Sequence, residues 1–205
     1  ILGAYYLTYT RLGKAEKGAE TVFVTDAGET GLPVGEVVDA DEFVAAYKQA
    51  KKEGKKEPKF RPVHAYSSSE EAIAAYADGA IGLHAPILVR YGKEIDGVMQ
   101  YQMINATVGR LIYNEPIPQD LGFVDRSIEE NALKPAIDFH VGKKQLKKIL
   151  EKVINTHGAT KTAEVLDDIK ATGYHYSTRA AMTVSISDMT VPPEKPQLIQ
   201  QAQDT

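Results

Sequence analysis

The chain has 205 residues, 43% hydrophobic and 25% charged, with no cysteine and no tryptophan, which excludes disulfide scaffolds, thiolate metal sites and disordered tails. Twenty-four Lys and Arg against 28 Asp and Glu leave a net charge of −4, so any hold on nucleic acid has to come from a local patch. Roughly 70% of the unfolded surface is buried at this length, enough for a core without metal or cross-links, and no apolar run approaches the ~20 residues of a membrane span.

The chain opens on Ile1 rather than Met, inside the apolar run Ile1, Leu2, Tyr5, Tyr6, and closes on a polar helical pattern without a stop signal. A segment of a longer polypeptide is expected. Residues 11–66 are rich in Gly and charge and read as a surface module. Within it, TVFVTD at 21–26 alternates like a strand. A helix starts at Asp39, with Glu42 reaching back, places Phe43, Val44, Tyr47 and Ala50 on one face, and stops near Gly54. The run KKEGKKEPK at 51–59 is a solvated turn.

From 66 onward the signals sharpen. SSSEEAIAAYADG at 67–79 is a capped helix ending at Gly79; its serines are capping residues. Strands are expected at 83–91, with Pro86 at an edge or first paired position, and at 97–106, joined by GKEID as a hairpin loop. ATVGRLIYNEPIP at 106–118 turns from strand into a helical turn stopped before Pro116. Leu146, Ile149, Leu150, Val153 and Ile154 mark a helix over about 143–156 whose outer face carries Lys143, Lys144, Lys147, Lys148 and Lys152. After HGAT at 157–160, Ala163, Leu166 and Ile169 define a second helix ending at Gly173, which makes a helical hairpin. TVSISDM at 183–189 alternates as a strand, and a last helix begins near Pro193. The fold class is α+β, a small mixed or antiparallel sheet with a helical C-terminal half.

Chemistry-bearing patterns are sparse. His140, His157 and His175 share the C-terminal half with Asp138, Asp167 and Asp168, but at no spacing that sets two ligands on one helix face, so no metal site is expected. No Gly-x-Ser-x-Gly turn presents a nucleophile, and DAGETG at 26–31 lacks the Lys-Ser/Thr of a phosphate loop. Two arginines stand where a guanidinium could hold phosphate or carboxylate: Arg110 at a strand-to-helix junction and Arg179 between a helix end and a strand. Each has a structural reading as a buried ion pair. Two other functions compete from the residues: a small metal-dependent hydrolase built on Asp138, His140 and His175, and an independent anion- or nucleic-acid-binding module on the lysine face at 143–152, whose binding would fade when Lys144, Lys147 and Lys148 become Glu.

Several strings, in order, resemble one family: ILGAYYLTY at 1–9, SSSEEAIAAYADGAIGLHAPILVR at 67–90, ATVGRLIYNEPIP at 106–118, and residues 142–189 followed by VPPEKPQLIQQAQ. They are similar to the largest catalytic subunit of bacterial DNA-dependent RNA polymerase, beta prime, in its pore or funnel region. The resemblance implies a pore domain from 1–9 and 66–190, a lineage-specific insertion at 10–65, and the truncated start of a rim helix at 191–205. It implies the wall of the secondary channel, through which nucleotides enter and backtracked RNA emerges. Arg110 and Arg179 are then channel-contact candidates, and Asp188, Met189, Glu194 and Lys195 are candidates for docking channel-binding factors.

The resemblance also implies that the magnesium-binding aspartate loop lies upstream of residues 1–9, so this stretch has no catalytic residue, no metal and no cofactor of its own. It should be inactive alone while forming part of a nucleotidyltransferase. Implied partners are the beta, alpha and omega subunits, nucleoside triphosphates, the RNA 3′ end, and transcript-cleavage and other channel factors. The implied location is the cytoplasm, nucleoid-associated and away from membranes, which the absence of cysteine fits. Some relatives bind a guanosine tetraphosphate alarmone through an aspartate and a tyrosine; Asp167 matches the first, but Ala171 replaces the second, which argues against that site.

Overall fold

The computed structural model describes residues 1–13, 16–95 and 97–203. Two separate hydrophobic clusters organise them. The smaller grows from the alternation at 21–26, where Val22 and Val24 fall on one face of β1 (Thr21–Asp26). This strand pairs antiparallel with β2 (Val37–Asp39) on one side and β3 (Lys59–Pro62) on the other. α2 (Ala40–Glu53) covers the apolar face, adding Ala40 and Phe43 to Val22, Val24, Leu32 and Val38. Asp39 Oδ1 accepts from the Asp41 amide at the start of α2, and Gly54 closes the helix at φ 67°.

The larger cluster joins α1 (Leu2–Thr8), α3 (Ser69–Ala77), α4 (Val108–Asn114) and α5 (Lys143–Arg179) to a mixed sheet. That sheet has the order β4-β5-β6, with β4 (Ala65–Tyr66) parallel to β5 (Ile87–Ile95) and β5 antiparallel to β6 (Val98–Ala106). Pro86 directly precedes β5, where no ladder donor is needed. The expected GKEID loop is a correction: Gly92 to Ile95 continue the strand, and pairing of Ile95 with Val98 leaves only positions 96 and 97 between the strands. A two-residue connection ending in Gly97, at φ 79°, matches the twist of the hairpin better than a five-residue loop.

α5 breaks at Gly158, whose φ of 77° and ψ of −179° are non-helical. Ile149 and Val153 of the first arm and Val165 and Ile169 of the second enter the same core. A straight helix of this length would span ~55 Å and hold them apart, so the arms fold back as the expected hairpin. His157 Nε2 lies 2.7 Å from Asp120 Oδ1 at the bend. The second arm does not stop at Gly173 but runs to Arg179, because the glycine serves a helix crossing.

α1 also departs from expectation. Ile1, Leu2 and Tyr5 are exposed, and its buried face is Gly3, Ala4, Leu7 and Thr8. The strand expected at 183–189 is a 3₁₀ turn over Ile186–Asp188, in which the Asp188 carboxylate accepts from the Ser185 amide and Ser185 Oγ accepts from the Ser187 amide. Among the described residues no strand pairs with it, and the local side chains satisfy its backbone instead. The last helix, α6 (Lys195–Gln203), starts two residues past Pro193, and Ile186, 89% exposed, typifies the surface of 181–203.

Candidate functional site

A helix leaves its last four carbonyls without intrahelical donors and carries a partial negative charge at that end. In α1 these carbonyls belong to Tyr5, Tyr6, Leu7 and Thr8, and the rest of the chain converges on them. His140 Nε2 lies 3.1 Å from the Tyr5 oxygen and His84 Nε2 2.7 Å from the Tyr6 oxygen. Arg110 Nε donates to the Thr8 oxygen at 3.0 Å. The Leu7 carbonyl lies against Gly109 so closely that a side chain at 109 would overlap it. Thr8 Oγ1 donates to the Ala4 oxygen and accepts from the Val141 amide, both at 2.8 Å.

A second layer fixes these donors. Arg110 Nη1 reaches Asp138 Oδ1 at 3.0 Å, with the arginine side chain 15% exposed. Glu16 accepts from the His84 amide at 2.6 Å and faces its Nδ1 at 3.2 Å, tying the entry to the small module onto the main body. Tyr5 and Tyr9 pack against the His140 ring, and Tyr6 meets His84 edge-on. Burial pushes the Tyr6 phenol above its ordinary value. Below the cluster, Asn114 Nδ2 donates to the Arg110 and Ile137 carbonyls at 2.8 and 2.9 Å, while its Oδ1 accepts from the Ile137 amide at 2.9 Å. The arrangement holds a short helix by its carbonyl end.

The structure distributes the sequence candidates over three places. Arg110 belongs to the clamp and takes the ion-pair role. Arg179 is the exposed last residue of α5, its guanidinium 5.7 Å from the centre of the Tyr76 ring. Asp188, Met189, Glu194 and Lys195 lie on the exposed C-terminal stretch. The hydrolase grouping is not assembled: Asp138 pairs with Arg110, His140 with the Tyr5 carbonyl, and His175 packs on Tyr176. Among the described residues no three His, Asp or Glu side chains are placed to hold a metal ion. Asp167 pairs with Lys170 at 3.0 Å, and Ala171 is exposed on the same arm.

Of the five lysines expected on the outer face of α5, Lys143, Lys144, Lys147 and Lys148 are exposed. Lys152 is a correction: it folds back to donate to the Leu121 and Gly122 carbonyls at 3.0 and 3.2 Å, 4.5 Å from the centre of the Phe123 ring. Its long stem lets the ammonium satisfy carbonyls of the irregular 115–142 connection. Sequence reasoning missed Thr8, Glu16, His84 and Asn114, whose partners lie at separations of up to 133 residues that no local pattern records.

Against known proteins, the chain matches the family described as RNA polymerase Rpb1, domain 3, over residues 1–189. It is similar to the DNA-directed RNA polymerase subunit beta′ of Lachnoclostridium phytofermentans, 63% identical over 139 residues, covering 67% of this chain and 11% of that protein. The subunit beta′ of Clostridium acetobutylicum is 55% identical over 139 residues, 68% of this chain and 12% of the relative. That of Acetivibrio thermocellus is 43% identical over 180 residues, 87% of this chain and 15% of the relative. The chain therefore spans between 11% and 15% of the length of these curated relatives.

Proposed function

This chain belongs to the RNA polymerase Rpb1 domain 3 family and corresponds to a region of bacterial beta prime subunits, and from that premise we propose that it forms the wall of the secondary channel in DNA-templated transcription. The match over residues 1–189 carries this reading. The clamp supports it: a short helix gripped at its carbonyl end by His84, Arg110 and His140 is suited to transmit a fixed position to whatever chain adjoins it. In the resembling subunits that neighbour is the magnesium-binding aspartate loop. Magnesium and nucleotidyl transfer then lie outside residues 1–205, and the isolated chain adds no nucleotides.

On this reading the core formed by 1–9 and 66–190 is the pore element, 10–65 is an insertion with its own small core, and 191–205 begins a rim helix. Arg179, exposed at the end of α5, is the better channel-contact candidate, since Arg110 is engaged. Asp188, Met189, Glu194 and Lys195 are proposed to meet transcript-cleavage and related factors. Beta, alpha and omega are the proposed partner subunits, in a cytoplasmic, nucleoid-associated enzyme. The test places a photo-reactive amino acid at position 179 of a full-length beta prime subunit in assembled polymerase, stalled with backtracked RNA. Cross-linking to the extruded RNA 3′ segment is the expected result; cross-linking only to protein, with the RNA labelled elsewhere, overturns the channel assignment.

A further inference from the structure

The first arm of α5 breaks two local rules together. Lys143, Lys144, Lys147 and Lys148 crowd its first two turns, at the end of a helix where the macrodipole disfavours cations. The pairs 143/147 and 144/148 are like charges at i,i+4 spacing, which repel. Among the described residues none of the four forms an ion pair, and Glu151, one turn further along, does not pair with them. Being unpaired is not itself unusual, since among the described residues Lys48, Lys51, Lys52, Lys59, Lys93, Lys134 and Lys195 form no ion pair either. None of these is repeated at i,i+4 in the first turns of a helix, and four lysines elsewhere are neutralised. Lys55 meets Glu53 at 2.6 Å, Lys56 meets Asp26 at 2.8 Å, Lys161 meets Glu164 at 2.9 Å and Lys170 meets Asp167 at 3.0 Å. Four cations within six residues stand in a chain of net charge −4, so the cluster is a local exception to both charge balance and helix electrostatics. Exceptions of this kind collect at sites with a function beyond folding.

We propose that this lysine face binds the phosphodiester backbone of a nucleic-acid strand. At ~100° per residue the four ammonium stems spread over an arc of about 140°, and they climb about 8 Å along the helix axis, a ridge wide enough for one strand to lie along. Lysine is a strongly hydrated point charge that matches phosphate oxygens without demanding a fixed bidentate geometry. No aromatic side chain lies among the four, so bases have nothing to stack on and contact is to phosphates, independent of sequence. The proposal rests on these side chains and not on the channel assignment.

The test is fluorescence anisotropy of a labelled oligouridylate titrated with the 205-residue chain over a series of salt concentrations. Four phosphate contacts give a slope of log K against log salt near about −2.8, at ~0.7 per contact for a single strand. Replacing all four lysines by Gln should bring the slope close to zero and weaken binding more than tenfold, while the fourfold Lys→Arg variant and the Lys51→Gln/Lys52→Gln variant retain it. Circular dichroism checks the fold; if the fourfold Gln variant is unfolded, Lys147→Gln alone should lower the slope by about 0.7. A duplex DNA arm tells whether single or paired strands supply the phosphates. A slope unchanged by the Gln substitutions overturns the proposal, and so does polyglutamate competing as well as the oligonucleotide, since that would mark an acidic-peptide surface.

Discussion

Gly3 of α1 meets Gly173 of α5 backbone to backbone, so that a Cβ on Gly3 would overlap the Gly173 peptide, whereas a Cβ on Gly173 would have nothing within 4 Å. The contact is one-sided. Gly3→Ala should destabilise by about 3 kcal/mol, because its neighbour is main chain and cannot rotate away. Gly173→Ala, in the interior of a helical arm, should stabilise by roughly 0.5–1 kcal/mol through helix propensity. Urea unfolding midpoints of the two variants check the asymmetry; equal effects would mean that the helices separate at this crossing in solution.

Asn114 is the second point where a single side chain carries a long connection. Its amide joins α4 to Ile137 through both Ile137 backbone groups and also accepts the role of donor to the Arg110 carbonyl. Asn114→Ala leaves these buried groups without partners, at roughly 1–3 kcal/mol for each that water cannot reach, and a total loss of about 3 kcal/mol is expected. Asn114→Asp should be worse at neutral pH, since a carboxylate oxygen then faces two carbonyls. Hydrogen exchange of the Ile137 amide gives a local readout, and protection there that survives Asn114→Ala would remove this account.

Elements whose causes lie within a few residues were legible in advance: β1 from its alternation, α3 from Ser68 accepting the Glu71 amide, and the end of α2 from Gly54. The hairpin of α5 was legible as well, because a glycine follows a complete apolar stripe. What was hidden has its causes elsewhere in the chain. The buried face of α1 is small, Gly3 and Ala4, and the large residues that drew attention, Leu2 among them at 59% exposure, point outward. Residues 183–189 alternate like a strand, but alternation says nothing about whether a pairing strand exists. Arg110 was recognised as notable from its position, yet which of its two readings applies depends on Asp138 and the Thr8 carbonyl.

Tyr113 is 2% exposed, and among the described residues its hydroxyl has no hydrogen-bond partner. Burial pushes its phenol well above the ordinary value of 10.0, as the anion has no compensating charge nearby. A group whose folded pKa is raised contributes stability that is intact below the unfolded value and is lost as pH rises past it. Stability should therefore fall above about pH 10 in the parent chain, and the Tyr113→Phe variant should show a smaller fall. At neutral pH the same substitution removes an unsatisfied hydroxyl and should be neutral or stabilising by about 1 kcal/mol. Denaturation at pH 7 and at pH 11 tests both parts; a destabilised phenylalanine variant at pH 7 would show that water reaches and satisfies the hydroxyl.

Arg110 and Asp138 give the sharpest separation between an arginine committed to the fold and one free to face a ligand. Asp138 is 39% exposed, so the ion pair itself is screened and worth no more than about 1 kcal/mol. The bond from Nε to the Thr8 carbonyl is less exposed and caps α1, so Arg110→Ala should lose about 2 kcal/mol in all and Asp138→Asn only the smaller share. Lysine cannot span both acceptors from one planar group, so Arg110→Lys should recover less than half of the loss. A double-mutant cycle on the two positions should return a coupling of about 0.5–1 kcal/mol. If the coupling is absent and Arg110→Ala leaves stability unchanged, the guanidinium is free to face a ligand; if coupling and loss both appear, its charge is committed to holding α1 against the irregular segment 136–141 of the connection.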